Sequence, residues 1–174
     1  MGQGRIVFLN GVTSSGKTSI VDALQSRDDA YFYVVANDLF EQMIGDRWLA
    51  EDYWGHLSRV ILLMYRTAAM IADEGHDVLI DGILVERPQI APHYAQFLAI
   101  MGDRRVDIVE VYCPLEECRR RNLLRGDRQE MQSHEQHALM ARDVRYSCRV
   151  DTQACSPEEC AQQIMDALQL KRAQ

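Results

Sequence analysis

The strongest constraint on the fold of this chain is a short stretch near its N-terminus. Residues 11–18 read GVTSSGKT and fit the pattern G-x-x-x-x-G-K-[ST] of the phosphate-binding P-loop. An apolar run at residues 5–10 precedes it and is typical of a buried strand, and residues 17–25 follow with apolar side chains at helical spacing. N–H groups that open a helix lack intrahelical partners and bind anions. The stretch therefore predicts a strand, a phosphate loop and a helix; the alternative is a glycine-containing turn that binds nothing.

Two side chains of the motif point to specific contacts with a nucleotide. We expect Lys17 to reach the β- and γ-phosphates and the Thr18 hydroxyl to hold Mg²⁺. Gly11 and Gly16 allow a close backbone approach that a Cβ atom would block. The candidate nucleotide-binding residues are the loop and the first residues of the helix: Gly11, Val12, Thr13, Ser14, Ser15, Gly16, Lys17, Thr18 and Ser19.

Composition and charge narrow the class of protein. The 174 residues are enough for a single domain with a sizeable core, which we expect over residues 1–174. A net charge of −7 argues against a nucleic-acid-binding protein, whose surface must neutralise phosphates. The five cysteines form no C-x-x-C pair, which favours reduced thiols over disulfides or a zinc site. Without a signal peptide or an apolar run of transmembrane length, we expect a cytoplasmic protein with no membrane contact; oligomeric state is not predicted.

Strand-like and helical segments alternate along the chain. Besides residues 5–10, apolar or β-branched runs predict strands at residues 31–36, 78–81, 105–113 and 147–150. Such alternation is typical of a parallel sheet covered by helices on both faces. The predicted fold class is therefore α/β: a P-loop NTPase fold with a five-stranded parallel sheet flanked by helices.

Polar residues follow several predicted strands, where open α/β sheets bind their ligands. Asp38 follows the second strand and is a candidate general base for an attacking hydroxyl; alternatively, or in addition, it is the N-cap of a helix predicted at residues 39–44. Asp81 ends the third strand after an apolar run, which in a P-loop protein indicates the acid that holds the Mg²⁺ shell, although any buried strand can end in aspartate. The loop at residues 152–155, after the fifth strand, is also expected near the P-loop.

Two stretches are candidates for the wall of a ligand pocket. Residues 46–55 mix Trp48, Tyr53 and Trp54 with carboxylates, a composition that suits a pocket for an organic molecule, including a cationic one. Since aromatic side chains are usually core, we favour a helix junction that packs them inward. The loop at residues 82–88 is expected at the same edge of the sheet, and it fits a surface turn equally well.

The histidines do not predict a metal site. His134 and His137 lie one helical turn apart in a polar region without a third ligand. His93 has no partner at metal-ligand spacing, and we expect it at the surface.

Five arginines crowd residues 119–128 and locally reverse the acidic charge of the chain. Arginine binds phosphate through a planar fork of donors, and positioned cations stabilise a phosphoryl group in transfer. Arg121, Arg125 and Arg128 share one face if the helix continues, as expected of a mobile lid over about residues 119–134. The alternative is a solvated helix face whose arginines pair with nearby acids; downstream of a P-loop we favour the lid.

Taken together, these sequence motifs resemble those of a known protein family. The chain resembles the chloramphenicol phosphotransferase-like family of small P-loop kinases, which have nucleoside-monophosphate-kinase architecture. The P-loop alone is specific only to a superfamily, and the spaced RGDR lid followed by a VDT strand end narrows the assignment. The resembling segments run nearly end to end: RIVFLNGVTSSGKTSIVDALQ at the start, AND at 36–38, LIDGI at 79–83, RNLLRGDR at 121–128 and the VDTQACSPEECAQQI tail.

The resemblance implies ATP as the phosphoryl donor and a hydroxyl of a small molecule as the acceptor. It places the family's base on Asp38 and its lid arginines on Arg125 and Arg128, with Arg121 nearby. Chloramphenicol is one candidate acceptor, which would make the protein an antibiotic-resistance enzyme. The acceptor-side segments follow no family pattern that identifies the substrate.

The expected function is therefore ATP-dependent phosphorylation of a small-molecule hydroxyl. Lys17, Asp38 and the three lid arginines are the candidate catalytic residues, and Thr18 and Asp81 are the candidate metal ligands. The alternatives are a kinase for a nucleotide, sugar-nucleotide or shikimate-like metabolite and, from another class, a regulator that binds ATP without transferring phosphate. A GTPase is disfavoured because the chain contains no N-K-x-D motif.

Overall fold

The computed structural model of the chain describes residues 2–87, 92–126 and 129–170. The strands in these ranges are β1 (Ile6–Asn10), β2 (Tyr33–Ala36), β3 (Val78–Gly82), β4 (Val106–Tyr112) and β5 (Cys148–Asp151). The helices are α1 (Lys17–Gln25), α2 (Asn37–Glu41), α3 (Asp46–Glu51), α4 (Tyr53–Asp73), α5 (His93–Met101), α6 (Leu115–Arg125), α7 (Gln132–Leu139) and α8 (Pro157–Leu168). No helix in the described ranges is both long and apolar enough to cross a membrane.

The strands of the described residues form a parallel sheet in the order β2-β3-β1-β4-β5. The central strand β1 is buried along its whole length, and a strand covered on both faces requires such a continuous apolar run. Val7 and Leu9 belong to a core that includes α1 and α8, whereas Ile6 and Phe8 belong to a core that includes α4 and α5. The predicted α/β fold, with five parallel strands flanked by helices, is confirmed.

The strand order brings the ends of β1, β2 and β3 together at one edge of the sheet. Asp81 is in register with Leu9 of β1 on one side and with Ala36 of β2 on the other. The P-loop starts two residues after Leu9, and α2 starts directly after Ala36. The phosphate loop and the two candidate acids therefore share the C-terminal edge of the sheet, where α/β proteins bind ligands.

The start of α2 differs from one of the two roles considered for Asp38. The N-cap of α2 is Ala36, in an extended conformation, so the prediction of Asp38 as the N-cap is wrong. Asp38 lies instead in the first turn, where a negative charge interacts favourably with the helix dipole.

The N-terminus of α8 is closed by a capping box. The Ser156 hydroxyl accepts a hydrogen bond from the Glu159 N–H at 3.2 Å, and the Glu159 carboxylate accepts one from the Ser156 N–H at 2.8 Å. Because Ser156→Ala removes the first bond, we expect the free energy of unfolding to fall by about 1 kcal/mol. For a chain of this length the melting temperature should fall by roughly 2–4 °C, measurable by calorimetry.

A serine-to-alanine control is available elsewhere on the surface. Ser147 is exposed, and its hydroxyl makes no hydrogen bond with the residues that the structure describes. Ser147→Ala is expected to melt like the wild type. Equal melting temperatures for the two variants would contradict the capping prediction.

Candidate active site

The P-loop connects β1 to α1 with two residues in the left-handed backbone region. Gly16, the N-cap of α1, has φ 95°, and Ser14 has φ 58°. A Cβ atom on Gly16 would lie 3.2 Å from the Thr152 side chain, so both the backbone angle and the close contact favour glycine. The hydroxyl oxygens of Ser14 and Ser15 are buried without a hydrogen-bond partner among the described residues. Unpaired polar groups before a helix N-terminus fit a bound phosphate chain.

The loop after β5 closes one side of the P-loop. The Thr152 hydroxyl donates to the Ser15 carbonyl at 2.7 Å, which confirms that residues 152–155 lie near the P-loop. Beside this contact is a cavity of about 400 Å³. Its lining includes Gly16, Thr18, Arg121, Thr152 and Cys155.

Lys17 is folded back over the loop to which it belongs. Its Nζ atom donates to the carbonyl oxygens of Gly11 at 2.9 Å and Val12 at 3.0 Å. The same atom lies 3.9 Å from Oδ1 of Asp81, and 13% of the lysine side chain is exposed. The ammonium group therefore lies at the mouth of the loop, where phosphate oxygens can replace the two carbonyl contacts.

Thr18 and Asp81 meet across the same space. The Thr18 hydroxyl donates to Oδ2 of Asp81 at 2.8 Å. Hydroxyl and carboxylate oxygens are hard ligands that suit Mg²⁺, which in phosphate sites usually takes only one or two carboxylates from the protein. The structure brings the two predicted metal ligands together, and their donor chemistry fits a magnesium ion; their role stays a prediction.

Two cavities meet at Asp38. The P-loop cavity, of about 340 Å³, is lined by P-loop residues together with Asp81 and Arg125. The second cavity, of about 440 Å³, is lined by side chains from α2, α4 and α7 and from the loop after β3. Among the described residues, four line both cavities: Asn37, Asp38, Ile83 and Gln136. Of these four, Asp38 alone is an acid, so a carboxylate stands where the contents of the two cavities would meet.

α6 ends at Arg125, because Gly126 adopts a left-handed φ of 72° and terminates the helix. The sequence places Arg121, Arg125 and Arg128 on one face only if this helix continues to Arg128. Since α6 ends at Arg125, that condition is not met. Arg128 itself lies outside the described residues. Arg125 lines the P-loop cavity together with Lys17.

Arg121 is attached to the loops around the P-loop. Its guanidinium donates to the Glu117 carboxylate at 2.8 Å and to the Thr152 carbonyl and hydroxyl at 2.9 and 3.1 Å. Hydrogen bonds from Arg120 and Arg121 lower the pKa of Glu117 to about 2. Arg119 pairs with a further acid. Part of the arginine-rich stretch is thus an acid-paired face, the alternative that the sequence left open; the lid stays a prediction.

The second cavity contains side chains that the sequence places elsewhere. His93, expected at the surface, is 1% exposed, and its Nε2 lies 3.2 Å from the Ser58 hydroxyl because α5 packs against α4. Tyr53 and Trp54 line the cavity and are 39% and 41% exposed. The predictions of a surface histidine and of inward-packing aromatic residues are therefore wrong. Two features of the sequence did indicate this cavity: the aromatic content of residues 46–55, and the loop at residues 82–88, from which Ile83, Val85 and Arg87 line it.

Gln136 links the two cavities without any sequence signal. Its side-chain oxygen accepts a hydrogen bond from the backbone N–H of Thr13 in the P-loop at 2.6 Å. A glutamine in a polar helix belongs to no motif, so the sequence does not single it out. The contact ties α7, whose first residues fall in the predicted lid, to the phosphate loop.

A sequence model described as chloramphenicol phosphotransferase-like protein matches residues 4–169. The chain belongs to this family. Two curated relatives, from Mycobacterium tuberculosis strains CDC 1551 and H37Rv, carry the provisional name O-phosphotransferase. Each is 27% identical over 193 aligned residues, which cover 97% of this chain and 84% of the relative. As a member of the chloramphenicol phosphotransferase-like family, the protein is an enzyme that transfers a phosphoryl group to a small molecule.

Solved kinase structures share the fold of this family member. An APS kinase of Mycobacterium tuberculosis, solved with AMPPNP and APS, has a TM-score of 0.73 at 22% identity and covers 98% of this chain and 100% of its own. A shikimate kinase of Acinetobacter baumannii with bound shikimate has a TM-score of 0.65 at 16% identity, covering 95% and 93%. At these identities the likeness extends to the P-loop nucleotide-binding fold.

Proposed function

We propose that the enzyme transfers the γ-phosphoryl group of ATP to a hydroxyl of a small molecule bound in the second cavity. The observation that carries this proposal is that Asp38 lines both cavities. From the shared wall its carboxylate can accept the proton of a hydroxyl on one side while the P-loop presents phosphate from the other. The hydroxyl oxygen then bonds to the γ-phosphorus as the bond to ADP breaks.

The P-loop side supplies the charge that phosphoryl transfer requires. Residues 11–19 surround the phosphates, and Lys17 stabilises the negative charge that spreads over the transferring group. Thr18 and Asp81 would hold a magnesium ion, which when bound neutralises phosphate charge. The hydrogen bond between these two side chains supports their assignment to one ion.

We place the lid at about residues 119–134 of a single kinase domain that spans residues 1–174. Arg121, fixed by its contacts to Thr152, anchors the base of the lid. Arg125, which lines the P-loop cavity, and Arg128 reach the transferring phosphoryl group when the lid closes. Closure adds positive charge and excludes water from the reaction.

The family description makes chloramphenicol a candidate acceptor, which would give the enzyme a role in antibiotic resistance. APS and shikimate, present in the related kinase structures, are further candidates. The aromatic side chains of Tyr53 and Trp54 in the second cavity support an acceptor with a ring.

A panel assay tests the proposed function. The purified enzyme is given ATP and Mg²⁺ with chloramphenicol, shikimate, APS and other hydroxylated compounds, and ADP release is followed. We expect at least one compound to stimulate ADP release above the basal rate and to yield a phosphorylated product by mass spectrometry. ATP binding in the absence of stimulation by any compound would instead favour an ATP-binding regulator.

A further inference from the structure

The second cavity contains a cation that no described residue neutralises by direct contact. The Arg87 guanidinium forms no hydrogen bond or ion pair with the described residues, and its Nε atom is out of contact with solvent. Its central carbon lies 3.4 Å from the centre of the Trp54 ring. Burial lowers the pKa of Arg87, because it removes water from the charged group, and the charges of Tyr53 and Glu135 offset this effect only in part. A half-buried arginine without a direct acidic partner is suited to bind an anion.

The Trp54 ring covers one face of the guanidinium, and the N–H donors at the edge of the guanidinium make no hydrogen bond with the described residues. An arginine held in this way presents parallel N–H donors that match two oxygens of a carboxylate or phosphate. Within the part of the chain that the structure describes, three acids line the cavity, Asp38, Glu41 and Glu135, and none of them forms an ion pair with Arg87. Glu41 accepts a hydrogen bond from the Tyr53 hydroxyl at 3.1 Å, and Glu135, which acts on Arg87 through space, is exposed.

Two more buried polar atoms of this cavity lack partners among the described residues. They are Nδ1 of His93 and the side-chain oxygen of Asn37. Burial lowers the pKa of His93, so its imidazole is neutral at neutral pH and adds no second cation. Asn37 precedes Asp38, and its oxygen can accept a hydrogen bond from a hydroxyl beside that carboxylate. The hydroxyl end and the anionic end of a ligand would therefore contact different residues.

We propose that the natural acceptor carries an anionic oxygen group, a carboxylate or a phosphate ester, besides the hydroxyl that is phosphorylated, and that Arg87 held by Trp54 binds this group. The assignment of the second cavity to the acceptor rests on the proposed function. A volume of about 440 Å³ with Leu57, Ile61 and Leu139 in its wall suits a small organic acid with an apolar or cyclic body. Acids at residues 46–52, which suggested a cationic acceptor, do not line the cavity.

Matched compounds that differ only in charge test this proposal. Mandelate, mandelamide and 2-amino-1-phenylethanol share one benzylic hydroxyl, and 3-hydroxybutyrate, 3-hydroxybutyramide and 4-aminobutan-2-ol form an aliphatic set. Trp48 and Trp54 are the two tryptophans of the chain, so Trp48→Phe leaves Trp54 as the reporter of binding. We expect the acid of at least one set to quench Trp54 fluorescence at a concentration about 10–100-fold below its amide and amine. Glycerate and glycerol 3-phosphate then distinguish a carboxylate from a phosphate ester.

Arginine variants distinguish anion binding at Arg87 from a general effect of positive charge on the protein. Arg87→Gln should remove the preference for the acid, and Arg87→Lys should restore only part of it, because lysine keeps the charge but not the planar fork. Arg59→Gln is the control, since Arg59 is an exposed arginine of α4 outside the cavity lining. The proposal is overturned if no acid is preferred by the wild type, or if the preference survives in Arg87→Gln.

Fluorescence titrations without ATP keep this proposal distinct from the proposed function. An acid preference that depends on Arg87, together with no phosphoryl transfer to any compound, would support the subsite and reject the kinase assignment. Transfer to the amide or amine at the rate seen with the acid, with no binding preference, would support the kinase and reject the subsite.

Discussion

Asp38→Asn is expected to lower kcat for phosphoryl transfer by about 10²–10⁴, the range contributed by a positioned general base. Asparagine keeps the size of the side chain and its place on the wall between the two cavities, but it cannot accept the proton of the acceptor hydroxyl. Binding of ATP and of the acceptor should change little, so the loss should appear in kcat rather than in KM. Steady-state ADP release with the acceptor found in the panel measures both constants.

Asp46→Asn is the matched control for this variant. Asp46, like Asp38, lies in the first turn of a short helix, but it is exposed in α3 and lines neither cavity. Each substitution removes one charge from a helix N-terminus, worth at most about 1 kcal/mol at an exposed site. We expect Asp46→Asn to keep wild-type kcat. An Asp38→Asn enzyme with unimpaired transfer would show that the base assignment is wrong.

Lys17→Met is expected to lower kcat by about 10²–10³, the range measured when one preorganised donor to a developing charge is removed. Methionine fills similar space but leaves the transferring phosphoryl group without its P-loop cation. ATP affinity should also fall, because the ammonium group contacts the β- and γ-phosphates in the ground state as well. Calorimetric titration of ATP and steady-state kinetics measure the two effects separately.

A folding control accompanies the lysine variant. Lys17→Met leaves the carbonyl oxygens of Gly11 and Val12 without the donor that they have in the structure. A thermal melt therefore has to show that the variant is folded at the assay temperature. Lys17→Arg, which keeps the charge on a larger planar group, should recover little activity because the guanidinium does not fit a point-charge site. A folded Lys17→Met enzyme with wild-type kcat would contradict the role given to Lys17.

The sheet and the P-loop could be predicted because their signals are local. β1 is a continuous apolar run followed at once by the glycine pattern, and both features depend only on neighbouring residues. The capping box is equally local, because Ser156 and Glu159 are three positions apart at the start of α8. The neighbourhood of Asp81 and Thr18 followed from the fold class, since a parallel sheet of this type has a restricted strand order.

Most of the second cavity could not be predicted, because it depends on contacts between distant residues. Arg87 meets Trp54 across 33 positions of the chain, and His93 meets Ser58 across 35. Burial of His93 depends on how α5 packs against α4, which no periodicity in either helix reveals. The end of α6 was missed for a different reason: Gly126 is compatible with a hinge inside a helix and with a left-handed C-cap, and the structure adopts the second.

The wall shared by the two cavities has a consequence for the fate of ATP when no acceptor is present. Under the proposed function, a carboxylate that orients an alcohol there can orient a water molecule as well, and Asp38 is exposed to solvent in the structure. Water is then a competing nucleophile, and hydrolysis of ATP is the side reaction. Its rate relative to productive turnover depends on how completely the acceptor fills the second cavity. An acceptor that fills the second cavity tightly therefore excludes water and prevents hydrolysis of ATP, besides accepting its phosphoryl group.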